Sequence, residues 1–144
     1  MTNRAWRLSA AALVSLVLAV GCGGRGGPKL ATVRGNVTLG GKPLPQATVL
    51  FVPAEGRSSS GITDKNGRYE LGYTTDRNGA VLGKHRVRIS TYLRSNDEGK
   101  SVPESVPSRY NVESDLTREV IAGKNEINFE LEAGGPIAQP SVDD

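Results

Sequence analysis

Few side chains in this sequence are of the kinds that do chemistry, and their spacing limits what they can do. The 144-residue chain has one histidine, His85, and one cysteine, Cys22. One cysteine forms no internal disulfide, and one histidine with one cysteine supplies neither a zinc site of the His and Cys type nor a Cys-His nucleophile framed by charges. His85 falls on the same side of an alternating stretch as Val87 and Ile89. It therefore reads as a half-buried, hydrogen-bonded sheet residue, because a general base needs a partner within hydrogen-bond reach and none can be named. Ser58-Ser59-Ser60 has neither a base nor a Gly-x-Ser-x-Gly elbow, so it reads as loop. Asp64-Lys65-Asn66-Gly67-Arg68-Tyr69-Glu70 alternates oxygen-bearing side chains as a calcium loop does. An EF-hand needs an oxygen at its fifth position and glycine at its sixth, where this run has Arg68 fifth and glycine fourth, so a tight turn is expected. No catalytic residue, metal site or cofactor follows from these groups.

Binding is better represented. Lys84, Arg86 and Arg88 alternate with His85 and Val87 and form a basic stripe, stepping about 7 Å at a time along one strand. Either the stripe holds anionic glycans or phospholipid headgroups, or it is a solvated face paired with acids of neighbouring strands. The connection from Arg94 to Asp115 is a second candidate, since connections longer than about 15 residues in compact domains usually have a function or lack order. Pro103 and Pro107 stiffen it, while Arg109 and Tyr110 offer a guanidinium and an aromatic face. The other reading has Tyr110 plugging the end of the fold.

The elements that must carry these residues are strands. No window shows a 3.6-residue apolar repeat, whereas two-residue alternation recurs between Gly, Pro, Asn and Asp punctuation. Val33 to Leu39 alternates with Gly35 inward. Ala47 to Val52 is apolar on both faces and so central. Ser60 to Asp64 and Arg68 to Tyr73 flank the Asn66-Gly67 turn, read as a hairpin, and Asn78-Gly79 marks another turn. Lys84 to Tyr92, Leu116 to Ala122 and Asn125 to Glu132 follow, the last two joined as a hairpin at Gly123-Lys124, with Ile127, Phe129 and Leu131 inward. Seven short strands between residues 31 and 133 predict an all-β, two-sheet sandwich. Residues 134–144 lack apolar periodicity and read as a disordered tail.

Residues 1–21 read as a cleaved signal peptide, with Arg4 and Arg7 ahead of an apolar run from Leu8 to Val20 that is too short to span a bilayer. Leu18-Ala19-Val20-Gly21-Cys22 resembles the lipobox of bacterial lipoproteins, with Ala19 where leucine is favoured and Gly21 directly before the cysteine. That resemblance implies cleavage before Cys22 and diacylglycerol on its sulfur, which places the protein outside the cytoplasm on the inner or outer membrane. Two or three acyl chains, at about 0.8 kcal/mol per methylene, make such an anchor effectively permanent. Loss of Arg4 and Arg7 leaves 16 basic and 15 acidic residues, so the electrostatic case for nucleic acid disappears. Residues 22–30 are a Gly-rich tether reaching only about 15 Å.

Val33-Arg34-Gly35-Asn36-Val37, Gly41-Lys42-Pro43-Leu44-Pro45-Gln46-Ala47-Thr48-Val49, Thr63-Asp64-Lys65-Asn66-Gly67-Arg68-Tyr69 and Gly83-Lys84-His85-Arg86-Val87 occur in that order. Together they resemble the carboxypeptidase regulatory-like domain, a transthyretin-like (prealbumin-like) sandwich with V-x-G-x-V, G-x-P-L-x-x-A-x-V, T-D-x-x-G-x-Y and G-x-Y/H-x-V elements. With the lipobox and Val106-Pro107-Ser108-Arg109-Tyr110, the chain is similar to small bacterial lipoproteins built from this domain alone. The resemblance implies no activity. Hydroxyisourate hydrolases on a related fold end in Tyr-Arg-Gly-Ser and use several histidines, and this chain has neither. The expectation is a monomeric, non-catalytic envelope module whose partners are the membrane, through lipid on Cys22, and a glycan or envelope protein. The alternatives are an assembly subunit that adds a strand at a sheet edge, or a small hydrolase.

Overall fold

Alternation of Val33, Gly35 and Val37 with Arg34, Asn36 and Thr38 produces the longest strand, β1 (Leu30–Leu39), whose odd positions are buried. The computed structural model describes residues 27–93 and 101–139. Cys22 and the leader lie outside the described residues. β1 is the spine of one sheet. β2 (Lys42–Pro43), β5 (Arg68–Glu70) and β8 (Ala80–Val81) pair with it antiparallel, and β11 (Lys124–Glu126) and β12 (Phe129–Leu131) pair parallel. The second sheet is antiparallel. Its order is β10 (Thr117–Val120), β9 (Gly83–Ser90), β3 (Thr48–Pro53), β4 (Ser59–Ile62), β6 (Gly72–Thr74) and β7 (Arg77–Asn78). The chain is thus an all-β sandwich. Among the described residues no helix is long and apolar enough to cross a membrane.

The inner faces meet in one core. Phe51 and Phe129 stand edge to face at 6.2 Å, and Tyr69 packs on Phe129 at the same centroid distance. Val33, Val37, Val49, Val87 and Ile89 are fully buried around them. Phe129 and Leu131 are buried as the alternation requires, and Ile127 packs against the core edge.

The seven expected strands are present, two of them interrupted to give β5 with β6 and β11 with β12, and three short ones (β2, β7, β8) are added. Two connections differ from expectation. Asn66-Gly67 does not join a hairpin: it carries the chain from β4 in the second sheet to β5 in the first. Gly123-Lys124 likewise passes from β10 in the second sheet to β11 in the first, so these strands form no hairpin. Alternation reports which face of a strand is buried, and it is silent on which sheet receives that strand.

The motif residues hold these crossings. The Thr63 hydroxyl donates to the Leu44 carbonyl at 2.6 Å and accepts from the Ala47 N–H at 2.8 Å, tying β4's exit to β3's entry. Asp64 accepts from the backbone N–H of Arg68 (2.9 Å) and Asn66 (2.8 Å), which holds its carboxyl below the usual carboxylate range. Gly67 turns at φ 77°, where a Cβ would also meet the Val37 carbonyl. Gly35 is required by crowding: a Cβ there would collide with the Ile127 carbonyl oxygen. That same oxygen accepts the Tyr69 hydroxyl at 2.7 Å, and Tyr69 is paired with Gly35 in register, so its ring covers the glycine.

Candidate functional site

Strand alternation puts Lys84, Arg86 and Arg88 on the outer face of β9, where all three are exposed. Their cross-strand neighbours on β3 are not acids. Arg88 faces Leu50 and Arg86 faces Val52, while across β10 Arg86 faces Thr117 and Lys84 faces Glu119. None of the three forms an ion pair with another described residue.

Beside Arg88 lies a depression of about 580 Å³ whose walls include Leu50, Tyr92, Glu104 and Asn111. Arg88 Nε donates to the Asn111 carbonyl at 3.1 Å, which fixes the guanidinium against the sheet. Glu104 is the most unusual group here, a carboxylate only 4% exposed. Five donors serve it: the hydroxyls of Ser90 (2.5 Å) and Thr91 (2.8 Å), and the N–H groups of Thr91, Ser105 and Val106 (2.9 Å each). Burial alone would raise its pKa, but the hydrogen bonds from Ser90, Thr91 and Val106 outweigh it and hold the carboxyl below its usual range. Glu104 is therefore an ionised anchor for the connection that covers β9's end. A second depression of about 490 Å³ adjoins the first through Thr48 and Tyr92, and Leu44, Pro45, Ile62, Leu93 and Val102 make its walls mostly apolar, with Gln46, Thr91 and Ser105 among them. Ile62 is 65% exposed, Leu93 47% and Val102 46%. Leu93 and Val102 bridge to each other, with mutual N–H to carbonyl bonds of 3.0 and 2.9 Å.

The long connection does something else. Val106 is buried in the core, and the Ser114 hydroxyl donates to the Val87 carbonyl at 2.5 Å, so residues 102–116 close the side of the sandwich beyond β10. Arg109 stacks over the ring of Tyr110 at 4.7 Å and donates to the carbonyls of Gly134 and Glu132, both at 2.8 Å. The Tyr110 hydroxyl accepts from the Glu132 N–H at 3.1 Å. Both side chains offered as binding groups are thus engaged by this chain's own C-terminal segment. That segment is placed as far as Gln139: the Ser108 N–H donates to the Pro136 carbonyl, and the Gln139 amide exchanges bonds of 2.8 and 3.0 Å with the Glu104 backbone. Residues 134–139, the start of the segment expected as a disordered tail, are held by these backbone contacts rather than by an apolar pattern. Residues 140–144 lie outside the described residues.

His85 is 1% exposed, more than the half-burial expected. Its Nδ1 bonds the Gly83 carbonyl at 3.0 Å, its ring lies 5.7 Å from Phe51, and burial pushes its pKa down. Its Nε2 and the Ser59 hydroxyl are buried without a hydrogen-bond partner among the described residues. Within Ser58-Ser59-Ser60 the middle residue is core and the last is on the outer face. Glu104, Asn111 and Ser114 had no sequence signal of their own, because each meets residues 13 or more positions away.

No protein-family model and no curated protein matches the chain. Among solved structures it is similar to a DUF3823 family protein from Parabacteroides merdae, at 15% identity over 74% of this chain and 48% of that one, with a TM-score of 0.39. It is also similar to a 9R-lipoxygenase from Cyanothece, at 17% identity over 72% of this chain and 16% of that one, with a TM-score of 0.36. The chain thus spans about half the length of the first and about a sixth of the second.

Proposed function

We propose that this chain is a non-catalytic binding module of the bacterial cell envelope, a transthyretin-like domain of the carboxypeptidase regulatory-like kind held on a membrane by lipid on Cys22. The observation that carries the binding reading is the basic stripe of Lys84, Arg86 and Arg88, in which Arg86 and Arg88 face Val52 and Leu50 on β3 and Arg88 borders an open groove. A hydrolase reading is disfavoured by His85, the chain's single imidazole, which is buried with Nδ1 committed to a carbonyl and so is not presented to a substrate. Assembly by strand addition is disfavoured by the edges of the second sheet. β10 points Arg118 inward over the Phe129 ring at 5.0 Å, and β7 has only two residues. An inward charge and a very short strand are both devices that blunt an edge.

The anchor is tested in cells. Radiolabelled palmitate should enter the wild-type protein, which should fractionate with membranes, and Cys22→Ser should take up no label and remain uncleaved or be released. A wild type that takes up no label removes the anchored reading.

A further inference from the structure

We infer that the groove on the outer face of β3, β4 and β9 docks an extended peptide segment of a partner protein, with an acidic side chain on Arg88 and a large aliphatic one in the apolar depression. This rests on the reading of the chain as a binding module and names what it binds.

Charge complementarity sets the acidic end. Arg88 uses Nε on the Asn111 carbonyl, which orients the guanidinium and leaves both Nη groups without a partner among the described residues. A guanidinium so held suits the two oxygens of a carboxylate. Arg86 and Lys84 extend the positive field along the same strand. Glu104 shares the groove, but its charge is already met by five donors, four of them on Oε1. The apolar end is set by Ile62, Leu93 and Val102, each about half exposed or more and gathered on one depression with Leu44 and Pro45.

The register gives the spacing. Arg88 faces Leu50, Thr48 lies two residues along β3 from Leu50, and Ile62 faces Thr48 on the next strand. Two strands across and two residues along separate Arg88 from Ile62 by about 12 Å. An extended peptide covers that distance in about four residues, and an even separation puts both side chains on one face.

Direction argues against a lipid surface as occupant. β1 enters the sandwich at Leu30, which pairs with Val81 close to Gly83 at the start of β9. Tyr92, Leu93 and Val102 lie beyond the other end of β9, about 25 Å away. The apolar depression therefore lies at the end of β9 remote from Leu30, where the tether attaches. Backbone pairing is also spent, since β3 and β9 each have neighbours on both sides, so recognition must come from side chains.

The test uses the mature chain with Cys22→Ser and two acetylated, amidated peptides, Asp-Ser-Thr-Ser-Leu and Leu-Ser-Thr-Ser-Asp, which cover both directions. Calorimetric titration at low salt should show binding of one of them. Replacing its Asp by Asn should weaken binding about tenfold, Arg88→Gln should do the same, and the two changes together should cost no more than either. Ile62→Ser should weaken the leucine peptide and leave a glycine analogue unaffected. Unchanged thermal unfolding of both variants secures the comparison. Chondroitin sulfate and phosphatidylglycerol vesicles serve as further probes. Binding to either of these through Arg88 without peptide binding overturns the peptide inference and keeps the binding module. Binding to none of the probes overturns both.

Discussion

The two outer faces of the sandwich are made from the same kind of strand and are charged in different ways. On the first sheet the one charge of the spine, Arg34, stands in register between two acids, Glu70 on β5 and Glu126 on β11. Opposite charges in register across strands are the ordinary state of a solvated sheet. On the second sheet Arg86 and Arg88 stand beside Val52 and Leu50, and Glu119, facing Lys84, is the one acid across from the stripe. Like charges in a column repel unless something outside the strand answers them. On the proposed reading, this difference makes the second face the one presented to a partner.

The comparison can be broken first at what both faces share. Phe129 joins the sheets through Phe51 and Tyr69, so Phe129→Ala should cost about 3 to 5 kcal/mol in chemical unfolding. A loss below about 1 kcal/mol would mean that the two sheets do not share this core. Next comes the anchor of the connection beside the basic face. Glu104→Ala removes the acceptor of five donors and should cost about 2 to 4 kcal/mol. A near-neutral result would show that the connection does not depend on its buried carboxylate.

A smaller effect separates structure from binding within the second face. Arg109→Ala with Tyr110→Phe should cost about 1 to 2 kcal/mol, since both groups bond the C-terminal segment. Arg88→Ala removes one bond to the Asn111 carbonyl, which the Ser114 N–H still serves at 3.1 Å, and should cost less than about 0.5 kcal/mol. A reversed order would return Arg109 and Tyr110 to the surface as the binding pair and make Arg88 a structural residue.

Acid should act on both buried titratable groups in the same direction. His85 is neutral in the fold with its pKa below the unfolded value of 6.5, so the unfolded chain binds the proton more readily and stability falls as pH drops below about 6.5. Glu104, depressed below 4.5, adds a second loss as pH falls through its folded pKa. Stability measured from pH 7 to pH 5 should decline in the wild type and stay flat in His85→Leu. A wild type flat over that range would contradict the burial of a neutral imidazole.

Much of the fold is legible in the sequence because burial alternates with strand period: Val33 to Leu39, Thr48 to Val52 and Gly83 to Ser90 are strands with the expected faces. Sheet membership is not legible. Asn66-Gly67 and Gly123-Lys124 have the chemistry of tight turns, which a chain needs equally for a hairpin and for a crossing between sheets. The site divides the same way. The stripe of Lys84, Arg86 and Arg88 follows from spacing alone, but that Arg86 and Arg88 face Val52 and Leu50 rather than acids on β3 is something only pairing reveals. Arg109 and Tyr110 are chemically apt for binding, and their engagement by Glu132 and Gly134 depends on a contact more than 20 residues away. Glu104 is one acid in a polar loop until Ser90 and Thr91 are brought beside it.

The claim that one outer face binds and the other does not is tested most directly by backbone amide chemical shifts of the mature Cys22→Ser chain, titrated with the acidic-aliphatic peptides. Shifts should concentrate at Thr48, Leu50, Arg88, Tyr92 and Val102, fade in high salt, and leave Arg34, Asn36 and Arg68 unmoved. Shifts centred on Arg34 and Arg68, or spread evenly over both sheets, would contradict the assignment of the second face as the working surface.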